Sequence, residues 1–228
     1  MNGMDRLKRN ALTAVARFQI ALALMIFGAA WSLDYWQGWL FWLVFGAATL
    51  SITVYLLHHD RALVERRMHA GPTAEPRPQQ KLIQSVVTVL LLMVLFVSVL
   101  DHRFGRSQVP PSAAIAGDVL VVVGFAVIFV VFRENSFAAS IVEVKDGQPV
   151  IDTGPYARVR HPMYSGALLM FAGTPLALGS LWGLLPALLL AAALVWRLID
   201  EERCLAQELP GYADYQRKVR SRLLPGLW

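Results

Sequence analysis

Cysteine is almost missing from this chain: Cys204 stands alone, so no disulfide can form within it. Charge is scarce as well. Charged residues make up 16% of the 228 positions and hydrophobic ones 56%, with a mean hydropathy of +0.49. A soluble domain carries about 25% charged residues, so this composition excludes an ordinary water-soluble domain. No two glycines stand in G-x-G spacing, which removes the dinucleotide fingerprint and the glycine loop common in soluble cofactor-binding domains. There is no G-x-S-x-G and no P-loop. No period of about 20–50 residues repeats, and no segment is of low complexity. Histidines and acids do gather in "HHDRALVERRMH", as His58, His59, Asp60, Glu65 and His69. No second cluster has ligand spacing, Cys204 is isolated, and His102 is expected at the opposite membrane face, so no metal is expected.

What the chain has in abundance is apolar runs, at 14–33, 38–57, 82–100, 113–132, 163–179 and 180–199. Their length and number predict an all-α integral membrane protein with about six transmembrane helices, five if one run is re-entrant. The last two runs, separated by "GSLWG", read as a tight helical hairpin. The first run, after "MNGMDRLKRN", is read as a retained span, because later runs are equally long and "FGAAWS" is a poor cleavage site. Six spans divide the Lys and Arg residues of the connections very unequally: eighteen of 21 on the side of both termini, two on the other, and Arg17 inside the first span. The positive-inside rule then puts both termini in the cytoplasm, and the expected location is a bacterial inner membrane. Trp31, Tyr35, Trp36, Trp39 and Trp42 cluster at the first outer turn, as an interfacial belt would.

Two long polar segments, 133–162 and 197–228, flank the hairpin and must meet at its base. In "RHPMY", Pro162 suits the first turn of a helix, where its missing N–H costs nothing. The N–H groups of Met163 and Tyr164 would then face outward at the positive end of the helix dipole. With Arg158 and Arg160 beside them, they form either a carboxylate or phosphate site or an interfacial helix start facing lipid phosphates. "SIVEV" and "QPVID" around "KDG" suggest a short extended hairpin. In "WRLIDEERCL", Arg197 and Glu201 share a helix face. They are either a polar cluster closing over the "RHPMY" helix start or snorkelling charges at a span's end. Asp118 is an isolated acid read as interfacial, near the outer end of its span. The basic and aromatic tail reads as amphipathic on the inner leaflet, with membrane lipids rather than nucleic acid as partners.

"TGPYARVRHPMYSG", then about thirty apolar residues, then "EERCLAQELPGYADYQRKVRSRLLPG" resembles the C-terminal half of the isoprenylcysteine carboxyl methyltransferase family. That family shows GxYxxxRHPxYxG, a helical hairpin, EExxL, a glycine-containing YxxY stretch and a closing Arg/Pro; phospholipid N-methyltransferases are related to it. The resemblance covers roughly 135–228 and implies a four-span membrane region over 1–132 followed by a methyltransferase core over 133–228. It implies S-adenosyl-L-methionine bound in a cytoplasmic pocket without a Rossmann domain. By matching position, Tyr156, His161, Pro162, Met163, Tyr164 and Glu201 would contact the cofactor, Gln148, Pro149, Val150 and Ile151 would cover it, and Arg197 would hold a substrate carboxylate. The sequence departs from the family at Gln148, where eukaryotic members carry His, and at "LPG" 209–211, which is one residue longer.

The implied reaction is carboxyl O-methylation of an amphipathic or isoprenyl-type acceptor drawn from the bilayer. A carboxylate is already ionised at neutral pH, so orientation and desolvation would suffice. An amine acceptor, as in phospholipid N-methylation, would need a base, with Glu202 or Tyr164 the first candidates. A sterol-reductase-like enzyme using NADPH shares similar RHPxY-like and EERC-like segments. A non-enzymatic scaffold or transporter is the reading from another class.

Overall fold

The computed structural model describes residues 3–68, 70–138, 141 and 147–228. Its helices are α1 (Gly3–Ala30), α2 (Trp36–His59), α3 (Arg61–Met68), α4 (Pro78–Phe104), α5 (Pro111–Glu134), α6 (Pro162–Ala177), α7 (Leu184–Glu208) and α8 (Tyr212–Lys218). Among the described residues there is no strand. Of the extended hairpin expected around "KDG", 140 and 142–146 lie outside the described residues, and its second arm, 148–152, forms no strand. Proline opens three of the long helices, Pro78, Pro111 and Pro162 each standing in the first turn. Gly105 ends α4 in the left-handed conformation, its N–H donating to the carbonyls of Asp101 and His102.

The six long helices run alternately up and down, and both termini lie at one end of the bundle, the basic end. Four of them, α1, α2, α4 and α5, are long and apolar enough to cross a membrane. The hairpin differs. Helix α6 has 16 residues, about 24 Å at 1.5 Å per residue, against a hydrocarbon core of about 30 Å. Helix α7 has 25 residues, but Arg197 already interrupts its apolar stretch. Of the expected six spans, four are thus helices of membrane-crossing length and apolarity, and the other two form a hairpin of a short helix and one carrying charge in its second half.

Helices α5 and α6 touch backbone to backbone. A Cβ on Gly124 would lie 2.6 Å from the Gly166 carbonyl oxygen, and one on Gly166 would lie 2.8 Å from that of Gly124. Gly117 and Gly173 repeat the contact one heptad away, at 2.3 Å from Ala177 N and 2.5 Å from Gly117 O. Close approach through small residues is the usual means of helix association where both surfaces are already apolar. It holds the start of α6 against the end of α5.

The far end of the hairpin is also pinned. Asp101 on α4 accepts hydrogen bonds from Ser107 (2.6 Å), Ser180 (2.5 Å) and the Trp182 N–H (3.3 Å). Tyr35 donates to the Leu178 carbonyl at 2.7 Å and stacks on His102. Tyr35 is therefore buried rather than a member of the interfacial belt, because its hydroxyl closes the α6–α7 turn. Trp31, Trp36 and Trp39 remain exposed as a belt requires. Asp118 also departs from expectation. It is buried in α5, not interfacial, and neither carboxylate oxygen has a hydrogen-bond partner among the described residues.

The glycine contacts make a direct prediction. Gly124→Ala and Gly166→Ala should each lower the unfolding temperature in detergent, the overpacking costing about 1–3 kcal/mol. Gly28→Ala on α1, where a Cβ meets nothing within 4 Å, should not lower it. Equal behaviour of all three variants would refute the backbone-contact account.

Candidate active site

The start of α6 is built as the sequence suggested. His161 is the N-cap and Pro162 the first helical residue. The segment before it pairs with the tail: Arg160 N–H donates to Ser221 O at 3.0 Å, and His161 N–H to Arg222 O at 2.9 Å. Ser165 adds a side-chain bond to Leu223 O at 2.7 Å. Of the two amides expected to face outward, that of Tyr164 is taken by the His161 carbonyl at 3.1 Å.

Glu202 on α7 binds this assembly together. Its carboxylate accepts from Arg160 Nε (2.6 Å), from Arg222 Nε (2.9 Å) and lies 3.2 Å from His161 Nε2. Arg160 spends its Nη1 on the carbonyls of Val219 and Arg220, at 2.7 and 2.8 Å. Burial opposes the charge on Glu202, but the bonds from His161, Arg160 and Arg222 outweigh it and hold the carboxyl well below the usual range. This corrects the expectation that Glu202 serves as a base. It does not line the cavity described below, and a carboxylate so well satisfied is a poor proton acceptor. Arg160 lines the cavity beside the α6 start while its guanidinium also bonds the tail, whereas Arg158 is exposed toward a separate groove shared with Arg133.

Between α4, α6, α7, the 148–151 segment and α8 lies a cavity of about 410 Å³, within the common range of ligand pockets, about 300–1,000 Å³. Gln148, Pro149, Val150, Ile151, Tyr156, His161, Pro162, Met163, Tyr164, Arg197 and Glu201 all line it. The residues expected at the cofactor and at the substrate carboxylate are thus brought together, while Glu202 and Arg158 lie outside the cavity.

The cavity has two unlike halves. The polar half is made by Tyr156, His161, Tyr164 and Glu201 together with Asn135, Tyr212 and Tyr215. Tyr164 donates to Glu201 at 2.6 Å, and Asn135 to the Tyr156 hydroxyl at 2.9 Å. Tyr215 donates to the Tyr156 carbonyl at 2.8 Å. Burial pushes the Tyr156 hydroxyl up to about 12, despite the bond from Asn135, so it stays protonated at neutral pH. The apolar half runs down between the helices, lined by Val87 and Leu91 of α4, Ala167 and Phe171 of α6, and Leu194 of α7. Arg197 stands where the halves meet. It donates to Glu75 at 2.6 Å and to Gln84.

Sequence reasoning missed Glu75, Gln84, Asn135, Tyr212 and Tyr215. The two tyrosines were visible as the YxxY spacing, and Asn135 stood in "RENSF" just beyond the fourth run. Glu75 and Gln84 lie in the first half of the chain, where only hydropathy was legible. The buried Tyr212 hydroxyl lines the cavity and has no hydrogen-bond partner among the described residues. Such an orphan commonly awaits a ligand or ordered water.

In the histidine-rich stretch, His58 and His59 bond the carbonyls of Val54 and Tyr55 in their own helix, and Asp60 caps α3 through Leu63 N–H at 2.9 Å. Among the described residues no three His, Cys, Asp or Glu are grouped to hold a metal, and His69 lies outside them.

The depressed Glu202 carboxyl predicts a pH dependence. Its stabilising effect is present above the unfolded carboxyl value of about 4.3 and is lost as pH falls through the lower folded value. Glu202→Ala, which strands the Arg160 and Arg222 guanidiniums and leaves His161 Nε2 without this partner, should cost about 3–5 kcal/mol at neutral pH. Glu202→Gln should flatten the acid limb of a stability profile measured by thermal unfolding. An unchanged acid limb in Glu202→Gln would sink this assignment.

Comparison with known proteins bears on the same half of the molecule. No curated protein matches the chain. The family described as phospholipid methyltransferase matches residues 112–210, which contain α5, α6 and α7 with Tyr156, the "RHPMY" helix start, Arg197 and Glu201. The match starts earlier than the sequence resemblance, taking in α5, and stops before the tail. Of the helices that frame the cavity, α6 and α7 lie inside the match and α4 and α8 outside it, and residues 112–210 of the chain are similar to the phospholipid methyltransferase family.

Proposed function

We propose that this protein transfers a methyl group from S-adenosyl-L-methionine to the head of an amphipathic acceptor taken from the bilayer. The observation that carries this reading is the two-part cavity: a polar half at the α6 start joined to an apolar slot between α4, α6 and α7. A water-soluble cofactor suits the first, and a lipid tail suits the second. The positive-inside count supports a basic end in the cytoplasm, where the cofactor is found.

The residues present fit the cofactor. Among the described residues Glu201 is the one carboxylate lining the cavity, and it suits ribose hydroxyls. The α6 N-terminus suits a carboxylate group. The orphaned Tyr212 hydroxyl supplies a donor or acceptor that nothing in the described chain uses. When bound, S-adenosyl-L-methionine supplies an electrophilic methyl carbon on a sulfonium. The chain's own contribution is to orient the acceptor head against it and to exclude water. Tyr156, Tyr212, Tyr215 and the 148–151 segment form the wall on the cofactor side.

Two acceptor heads suit this chemistry. A carboxylate, as the sequence resemblance implies, would be met by Arg197 on the cavity wall. A protonated amine must give up one proton to become the neutral nucleophile, and the methylated product then carries the positive charge that leaves the sulfonium. With Glu202 withdrawn, the hydrogen-bonded pair Tyr164–Glu201 is the group placed to accept that proton. The amine reading draws support from the description of the matched family.

The cofactor assignment is tested by titrating detergent-purified protein with S-adenosylhomocysteine and with NADPH and following thermal stability. Saturable stabilisation by the former alone is expected. Glu201→Ala should weaken that binding by about tenfold or more, the loss of charge-assisted hydrogen bonds being worth about 1.5–3 kcal/mol. Tyr212→Phe should weaken it with no loss of stability in the ligand-free protein, because the hydroxyl it removes has no partner there. Stabilisation by NADPH alone would replace methyl transfer with reduction; stabilisation by neither would favour a scaffold.

A further inference from the structure

Glu75 lies in the connection between α3 and α4, just after the 3-10 turn Pro72–Ala74 and outside the segment that matches the methyltransferase family. Its carboxylate is fully buried, with 0% side-chain exposure, and accepts from Arg197 Nη2 at 2.6 Å; the Arg197 side chain is 8% exposed. Gln84 of α4 accepts from the other terminal nitrogen, Nη1. Arg197 thus reaches the cavity wall already bonded at both terminal nitrogens and paired with a full negative charge. The connection itself is tied to α7 a second time, by the ion pair of Arg77 with Glu208. Ala70 and Gly71 of the same stretch line the cavity.

We infer that Glu75 is a specificity-determining residue: by cancelling the charge of Arg197 it leaves the acceptor end of the cavity without net positive charge, so the site selects an uncharged or cationic head, such as an amine, over a carboxylate or phosphate. This rests on the methyltransferase reading above and deepens it. In a buried setting the charge of a wall group acts at nearly full strength on a ligand, since little solvent screens it. A lone arginine at the mouth of an apolar slot would favour anionic amphiphiles. An arginine fixed to a buried glutamate presents hydrogen-bond donors and no net charge. Of the other charged groups that line the cavity, Arg160 is paired with Glu202, Arg67 donates to the Ala138 carbonyl and lies over the Phe132 ring, and Glu201 sets a carboxylate bonded to Tyr164 against them. Separating the buried pair to bind an acceptor carboxylate in its place would leave Glu75 stranded, a strongly unfavourable state.

The test uses the full chain in detergent and two short probes, hexanoate and hexylamine, too small to be confused with micelle partition. Wild type should bind hexylamine in preference to hexanoate. Glu75→Gln keeps an oxygen to accept from Arg197 but removes the charge; it should bind hexanoate at least tenfold more tightly than wild type and hexylamine more weakly. The double variant Glu75→Gln/Arg197→Gln removes both charges at similar volume and guards against a failure of the single variant to fold. Its preference should stay within about twofold of wild type, because a cancelled pair and an absent pair attract an anion about equally. Weaker hexanoate binding in Glu75→Gln, or a large loss of hexanoate binding in the double variant, would overturn the inference and make Glu75 a residue that presents Arg197 to anions. S-adenosylhomocysteine titration of the same samples reads the cofactor site independently. Its failure in wild type would remove the methyltransferase reading while the hexanoate comparison still decides the role of Glu75.

Discussion

The carboxylate of Glu202 holds three segments that are far apart in sequence. Arg160 and His161 come from the start of α6, Arg222 from the tail, and Glu202 itself from the end of α7. Beside that contact the tail is held over the helix start by backbone bonds, by Arg160 Nη1 on the Val219 and Arg220 carbonyls and by the Ser165–Leu223 bond. The polar half of the cavity depends on it, because α8, with Tyr212 and Tyr215, hangs between α7 and this tail. A buried carboxylate surrounded by cations is not in itself a large source of stability, but losing one partner is costly. Its effect here is geometric: it fixes where the tail closes.

Much of the site was legible before any coordinates, because its chemistry is concentrated in two short motifs. "RHPMY" carries its own structural logic, a proline that starts a helix and a histidine that caps it. "WRLIDEERCL" places Arg197 and Glu201 on one face by helical spacing alone. What could not be read was partner choice. Glu201 and Glu202 are adjacent and chemically alike, yet one faces the cavity and the other faces the tail, because neighbouring helical residues point about 100° apart. Arg158 and Arg160 divide in the same way. The fold was legible as far as hydropathy reaches. The count of spans was not, since α6 is too short and α7 too early interrupted by charge for length and composition to say how deep they sit.

Glu75 shows a different kind of illegibility. It belongs to a connection between apolar runs, with no motif and no periodicity, and its meaning appears only when α4 is packed against α7. Buried acids in a chain this apolar are few, and each has a distinct solution. Glu202 takes three donors, Glu75 takes Arg197, and Asp101 gathers Ser107, Ser180 and the Trp182 amide. Asp118 alone of these lacks a partner among the described residues.

The glycine contacts between α5 and α6 have a mechanical consequence. Two helices locked backbone to backbone at points seven residues apart can neither slide nor roll without driving one main chain into the other. That side of the cavity is a doorpost. The opposite side is joined differently, α4 and its neighbouring connection meeting α7 through side-chain pairs such as Gln80–Asp200 and Glu75–Arg197. The width of the chamber on the α5–α6 side is therefore set by main chain, and on the other side by the length of the side chains that bridge it.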